Sequence, residues 1–365
     1  MSRVDNLINR YDYEKILYKR VDELFNISRG KVMSKDYIKE NQGDYPVYSS
    51  QTENNGVLGY ISTYAYDGEY LTWTTDGANA GTVFYRSGRF SVTNVCGLLE
   101  VINSTILNAK YAFYILNMIA PNYVNRGMGN PKLMSNVMGK IKLPVPPLSI
   151  QEEIVRILDS FTELTAELTA ELTARKKQFE YYRDNLLEFE DKTVYQTMDS
   201  VLKIKNGSDY KKLKYGRVPV YGSGGIMTYV DTYSFSKPSV LIPRKGSIDK
   251  LYYVDTPFWN VDTIFYTDID NKKAIPKFIY YCLQKSHLEQ YNTAGGVPSL
   301  TQKVLNKILI PIPSLNVQER IVKILDRFYF LCNDISNGIP AEIEARQKQY
   351  EFYRDKLLTF KEKRC

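Results

Sequence analysis

The chain has 365 residues, 44% hydrophobic and 24% charged, with 48 Lys+Arg against 41 Asp+Glu for a net charge of +7. That composition excludes a disordered, collagen-like or disulfide-rich chain, and the length predicts two or three domains. The modest basic excess suits a polyanionic partner, and the 31 tyrosines suit wet interfaces and stacking.

The opening Met1-Ser2-Arg3-Val4-Asp5 leads into polar sequence, so no signal peptide is expected. The longest apolar run, Tyr111 to Ala120, is broken by Asn117 and falls short of the roughly 20 residues a membrane span needs. No membrane association is therefore expected. Cys96, Cys282, Cys332 and Cys365 form no CxxC pair, so neither a disulfide framework nor a metal site is expected, and a cytoplasmic location fits.

Residues 1–147 predict a first α/β module. Strand-like runs at Tyr45–Tyr48, Thr82–Tyr85 and Phe90–Val95 are separated by the turn Asp76-Gly-Ala-Asn-Ala-Gly81, and Tyr111–Met118 reads as a short helix. Polar and basic residues cluster at expected loop tips: Ser49, Ser50, Gln51, Asn54 and Asn55; Thr74, Thr75 and Asn79; Arg86 and Arg89. Amide and guanidinium groups bond two atoms of a base edge at once, and Arg, Lys, Ser and Thr serve phosphates. The same loops also fit solvated turns. The loop Arg126-Gly-Met-Gly-Asn130-Pro131-Lys132 leads into a short helix whose free N–H groups suit a phosphate.

Residues 148–190 read as one long helix, without Gly or Pro, after the stop at Pro144, Pro146 and Pro147. Ser149 is the expected N-cap, with Glu152 completing a capping box. Ile150, Ile154, Ile157, Leu158, Phe161, Leu164, Leu168 and Leu172 form an apolar stripe, and Thr162–Arg175 is itself a four-residue repeat with the unit Thr-Ala-Glu-Leu.

A second α/β module is predicted over residues 191–314. Its strand-like runs are Val218–Tyr221, Val240–Ile242 and Thr263–Tyr266, and its short helix is Pro276–Leu283. Ser223, Arg244, Lys245, Lys272 and Lys273 mark its loops, and Ser299 and Thr301 follow the glycine loop Thr293-Ala-Gly-Gly-Val-Pro298. A second helix over residues 315–365 starts with Asn316 as expected cap, and Asn337-Gly338-Ile339-Pro340 should interrupt it.

The chain repeats itself. Lys140–Asp159 matches Lys307–Asp326 at an offset of 167 residues, and Arg175–Leu187 matches Arg346–Leu358 at an offset of 171. Weaker echoes pair Pro46-Val-Tyr48 with Pro219-Val-Tyr221, Gly129–Leu133 with Gly296–Leu300, and Leu24, Ile27 and Gly30 with Val201, Ile204 and Gly207. Helices match closely and globular parts poorly, which predicts two equivalent scaffolds carrying different loops. Two such stripes in one chain predict a coiled coil. Gln151, Glu152, Tyr182, Arg183 and Asp184 recur as Gln318, Glu319, Tyr353, Arg354 and Asp355, as two copies of one partner would require.

Catalytic constellations are not found. His287 is the single histidine, so neither a zinc site nor a Ser-His-Asp triad is expected. There is no P-loop, Asn130-Pro131-Lys132 is not a base-methylation motif, and Asp270-Asn271-Lys272 lacks the partner carboxylate of a nuclease site. No cofactor is expected.

Pro-x-Pro-Pro/Ser-Leu-x-x-Gln-Glu followed by a long helix, twice, resembles the specificity subunits of type I restriction–modification systems. The Thr-Ala-Glu-Leu repeat with Arg-Lys-Lys-Gln-Phe-x-Tyr-Tyr-Arg-Asp is similar to one subgroup of them. The resemblance covers essentially the whole chain. It implies two target-recognition domains that read a split site in double-stranded DNA, and an antiparallel coiled coil that docks two methyltransferase subunits. A motor–nuclease subunit joins them. S-adenosylmethionine is then bound by the methyltransferase, not by this chain. The rival reading is a single-chain methyltransferase or nuclease with a degenerate site, against which the missing motif argues.

Overall fold

A computed structural model describes residues 16–127, 129–292, 295–333 and 338–360. The sequence features at Met1–Asp5, Met128, Thr293, Ala294, Asn337 and Cys365 lie outside them. The chain divides into two compact units. The first is 1–167 with 344–365, and the second is 168–343.

The first unit contains strands β1 (Leu17–Arg20), β2 (Phe25–Arg29), β3 (Tyr45–Tyr48), β4 (Val57–Ile61), β5 (Tyr66–Thr74), β6 (Val83–Val92), β7 (Cys96–Val101) and β8 (Lys142–Val145), and helix α1 (Ala109–Ile119) packs against β5, β6 and β8. A six-stranded sheet runs β2-β7-β5-β6-β3-β4, and β1 pairs with β8 separately. All neighbours are antiparallel except β3 and β6. The two strand runs expected at Thr82–Tyr85 and Phe90–Val95 are parts of one strand, β6, whose pairing with β5 runs unbroken through Gly88 at φ +88.

The second unit repeats this plan. Its strands are β9 (Tyr195–Thr197), β10 (Leu202–Lys205), β11 (Val218–Gly222), β12 (Gly225–Val230), β13 (Ser239–Pro243), β14 (Tyr252–Val254), β15 (Trp259–Asn260), β16 (Ile264–Ile269) and β17 (Leu309–Pro311). Orders β10-β16-β13-β14 and β12-β11-β15 reproduce the larger sheet, with β14 and β15 standing where β6 is one strand. The parallel pair recurs, as Val47↔Ser91 in one module and Val220↔Trp259 in the other. Gly30 and Gly207 are also equivalent. A Cβ on Gly30 would fall 1.7 Å from the Val92 carbonyl oxygen, and one on Gly207 2.2 Å from that of Val261.

Helix α2 (Leu148–Leu186) has 39 residues, about 60 Å. α3 (Pro276–Lys285), α4 (Leu315–Asn333) and α5 (Ile339–Leu358) follow, and Gly338 in a bend precedes α5, as its breaker sequence predicts. Ser149 and Asn316 are not the caps. The helices begin one residue earlier, and the Pro147 and Ser314 carbonyls accept the first bonds, from Ile150 and Gln151 and from Val317 and Gln318. The two stripes pair antiparallel. In the first unit, Phe161 stacks on Tyr353 at 5.5 Å, and Leu357, Leu358 and Phe360 share a core with Ile154, Leu158 and Tyr111. In the second, Tyr182 stacks on Phe328 at 5.2 Å, and Phe179 and Leu187 share a core with Ile321, Leu325 and Tyr281. Phe161 and Phe328 occupy equivalent repeat positions, as do Tyr182 and Tyr353, so each unit makes the same stack with the copies exchanged.

Candidate nucleic-acid interface

Three loops meet at one end of each sheet. In the first module these are residues 49–56, 75–82 and 125–133. The first is tied to the second by the Asn79 amide, which donates to Thr52 Oγ1 at 2.7 Å. The second is tied to the third by two backbone bonds: Gly77 N–H to the Pro131 carbonyl at 3.0 Å and Leu133 N–H to that of Thr75 at 2.9 Å. Asp76 and Lys132 thereby face one another in an antiparallel bridge. The second module builds the same joint. Gly246 N–H reaches the Pro298 carbonyl at 3.0 Å, Leu300 N–H reaches that of Arg244 at 2.9 Å, and Lys245 bridges Ser299. Gly77 and Gly246 hold equivalent positive φ values of +98 and +84, conformations that favour glycine. Ser223 abuts this joint, its Oγ lying 3.7 Å from the Cβ position of Gly246.

Most of the expected residues lie on these loops. Asn54, Asn55, Asn79, Arg126, Asn130, Lys132, Lys245 and Thr301 are exposed, while Ser49, Ser50, Gln51, Ser223, Arg244 and Ser299 are half-buried. Gln51 spends its amide nitrogen on the Val57 carbonyl, and Thr301 Oγ1 accepts from Val304 N–H. The helices expected to receive a phosphate, Ser135–Met138 and Gln302–Leu305, are single turns of four residues.

Three residues expected at loop tips are internal instead. Thr74 and Thr75 are 1% and 2% exposed; their hydroxyls donate to the Asn79 and Val95 carbonyls and lock the turn from inside. Arg86, 2% exposed, lies within β6 under the 49–56 loop. Its guanidinium is 3.6 Å from the centre of the Tyr48 ring, and its Nε donates to Thr72 Oγ1 at 3.0 Å. Burial lowers the Arg86 pKa and pushes the neighbouring Cys96 thiol up to about 12. The second module has Val254, Leu241 and Ile264 where the first has Arg86, Thr72 and Cys96, so the fold itself does not require this polar core.

Arg89, Lys272 and Lys273 stand apart from the loop clusters. Arg89 pairs with Asp67 at the far end of the β5–β6 hairpin. Lys272 and Lys273 follow the far end of β16, and the Lys273 ammonium donates to the Ser200 carbonyl at 2.8 Å. Asp76, not among the residues expected from the sequence, occupies in this joint the position equivalent to Lys245. Its signal was the shared glycine after Asp76 and Lys245.

No group of His, Cys, Asp and Glu side chains suited to a metal occurs among the described residues, and none of their helices is long and apolar enough to cross a membrane. Residues 13–175 and 190–345 each match the family model described as the type I restriction modification DNA specificity domain. The chain belongs to the type I specificity subunit family. A Mycoplasma pneumoniae chain named as a type I specificity subunit is 34% identical over 353 residues, 93% of this chain and 96% of that one. The specificity subunit of the type I restriction enzyme MpnII from the same organism is 41% identical over 196 residues, 51% of this chain and 59% of that one. The crystal structure of a type I S subunit from M. genitalium superposes with a TM-score of 0.66 at 18% identity, covering 95% of this chain and 97% of that one. A chain from a structural study of type I system assembly gives 0.61 at 11% identity, covering 94% and 97%. The chain is thus a specificity component of such a system, not its catalytic one.

The recurring helix residues of this specificity subunit divide into two groups. Gln151 and Gln318 are wholly buried and act as internal clamps. Gln151 accepts from Asn108 N–H at 2.9 Å and donates to the Ile106 and Pro146 carbonyls at 2.8 Å. Gln318 accepts from Ile275 N–H at 2.9 Å and donates to the Lys273 and Pro313 carbonyls at 2.9 and 2.8 Å. Each clamp fixes the start of α2 or α4 against the start of α1 or α3. Asp159 and Asp326 repeat the device one helical stage on, accepting from Tyr114 and Tyr281 hydroxyls at 2.5 Å. Burial first, then the carboxylate, raises the pKa of both tyrosines. Arg183 is also buried and, like Arg354, is turned onto the next residue, Asp184 or Asp355. Tyr182 and Tyr353 serve the helix stacks described above. Gln151, Gln318 and Arg183 are therefore removed from the expected docking surface, whereas Glu152, Glu319 and Asp355 remain exposed. Tyr181 and Phe352, 66% and 55% exposed at equivalent positions, were missed.

Proposed function

We propose that this specificity subunit reads a bipartite site in double-stranded DNA, one half per module, and docks two methyltransferase subunits on its helices and a motor–nuclease subunit in the restriction complex. It works in the cytoplasm, and the methyltransferase binds S-adenosylmethionine. The parts are target-recognition domain 1 (1–147), central spacer (148–190), target-recognition domain 2 (191–314) and C-terminal spacer (315–365). One observation carries this reading: the same strand order occurs twice, with closely matched helices and chemically different loop clusters. Exchanging residues 191–314 for another such module, assembling the complex and mapping methylated sites should change one half of the recognised sequence. A change in both halves, or in neither, contradicts modular reading.

The helix supports a spacer role for its four-residue repeat. Between Leu158 and Phe179 no residue of α2 is buried, and this stretch contains the boundary of the two units at Glu167 and Leu168. Deleting Thr169-Ala170-Glu171-Leu172 therefore costs neither core a side chain. It removes about 6 Å of helix and about 40° of rotation beyond a full turn. Since base pairs repeat at about 3.4 Å, the preferred spacer should shorten by one or two base pairs with both half-sites unchanged. An unchanged spacer would show that the helices do not set the distance.

A further inference from the structure

We propose that the bridged turn of each module is its base-reading position: Asp76 in the first module takes the amino edge of a cytosine, and Lys245 in the second, flanked by Arg244, takes the O6/N7 edge of a guanine. This rests on the bipartite DNA reading above. The two turns are built alike, with the same pair of backbone bonds at the same lengths and a positive-φ glycine next in sequence. Position and backbone are thus held constant while the side chain changes sign. A phosphate clamp built on this one position would need a cation there in both modules, because DNA presents negative charge wherever a module sits, whereas the first module has Asp76 there and its lysine, Lys132, on the opposite strand of the bridge. A carboxylate against DNA is repelled unless a base amino group meets it, and cytosine N4 is the major-groove donor that carboxylates accept from. Lysine and arginine instead match guanine O6 and N7.

Lys245 is exposed, and Asp76 is half-buried with Lys132 opposite it in the bridge. Asp76 receives, among the described residues, a single long bond from Thr75 Oγ1 at 3.4 Å. Below the first turn, Thr74, Thr75 and the Trp73 indole, which donates to the Leu133 carbonyl at 2.9 Å, fix the backbone. The reading group therefore stands on a rigid support, as discrimination between bases needs.

The test uses the complex assembled with its methyltransferase, with sites mapped first for the wild type. Asp76→Ala should relax one base pair in the half-site read by the first module, and Lys245→Ala one base pair in the other half, each by about tenfold or more in discrimination. Duplexes with 7-deazaguanine at single positions of the second half-site should bind the wild type more weakly at one position and Lys245→Ala equally at all. A uniform loss of affinity with unchanged preferences would overturn the proposal in favour of phosphate contact. Unchanged affinity and preference would overturn it by placing the turns away from DNA. If the wild-type complex methylates a site without two halves, the underlying functional reading fails, whatever these variants do.

Discussion

Gln151→Leu should destabilise the first unit by about 3 kcal/mol or more, a large effect for one substitution near the start of a helix. The side chain is wholly buried and makes three bonds of 2.8–2.9 Å to backbone groups of Ile106, Asn108 and Pro146. Leucine fills the volume and leaves the Asn108 N–H and the Ile106 and Pro146 carbonyls without this partner. Each buried group left unmade costs about 1–3 kcal/mol. Gln318→Leu should do the same to the second unit, where the clamp is duplicated. Glu152→Ala, next door and exposed, should change stability by less than about 0.5 kcal/mol. Urea unfolding of the three variants checks this, and equal midpoints for all three would refute the clamp.

Trp73→Ala should cost about 3–5 kcal/mol. The ring is fully buried among Leu71, Leu99 and Tyr111. Gly97 opposes it so closely that a Cβ there would lie 2.3 Å from the ring. Its N–H also holds the Leu133 carbonyl, so the cost is not confined to packing: the strand bridging Asp76 loses its anchor. Hydrogen exchange should quicken at Gly77 and Leu133, whose N–H groups make the bridge bonds, well before global unfolding. Unaltered protection there would mean that the indole bond does not support the turn.

The two helices were legible because their periodicity is local and their residues repeat. Strands β3, β11, β13 and β16 and helices α1 and α3 also announced themselves as short apolar runs between glycine turns. What stayed hidden depends on partners distant in sequence. Gln151 and Gln318 look like surface docking residues by type and recurrence, and only the carbonyls 45 residues upstream make them internal. Arg86 reads as a loop cation until the strand register places it opposite Tyr70 and beneath the 49–56 loop. Asp76 carries no signal in the sequence beyond the glycine that follows it; only the bridge that sets it at the position equivalent to Lys245 draws it into the proposed site.

The first unit needs a segment made nearly 200 residues after its own helix face. Leu357, Leu358 and Phe360 complete its core, and Tyr18 donates to the Phe360 carbonyl at 3.1 Å. The second unit is one continuous segment, 168–343. On the ribosome, therefore, the later half can finish folding first. At about 5–20 residues per second, the apolar face of Ile154 and Leu158 waits on the order of ten seconds or more for its cover. Until residues 344–360 are made, the chain carries one finished module and one open seam, so that segment acts as the latch for the first module.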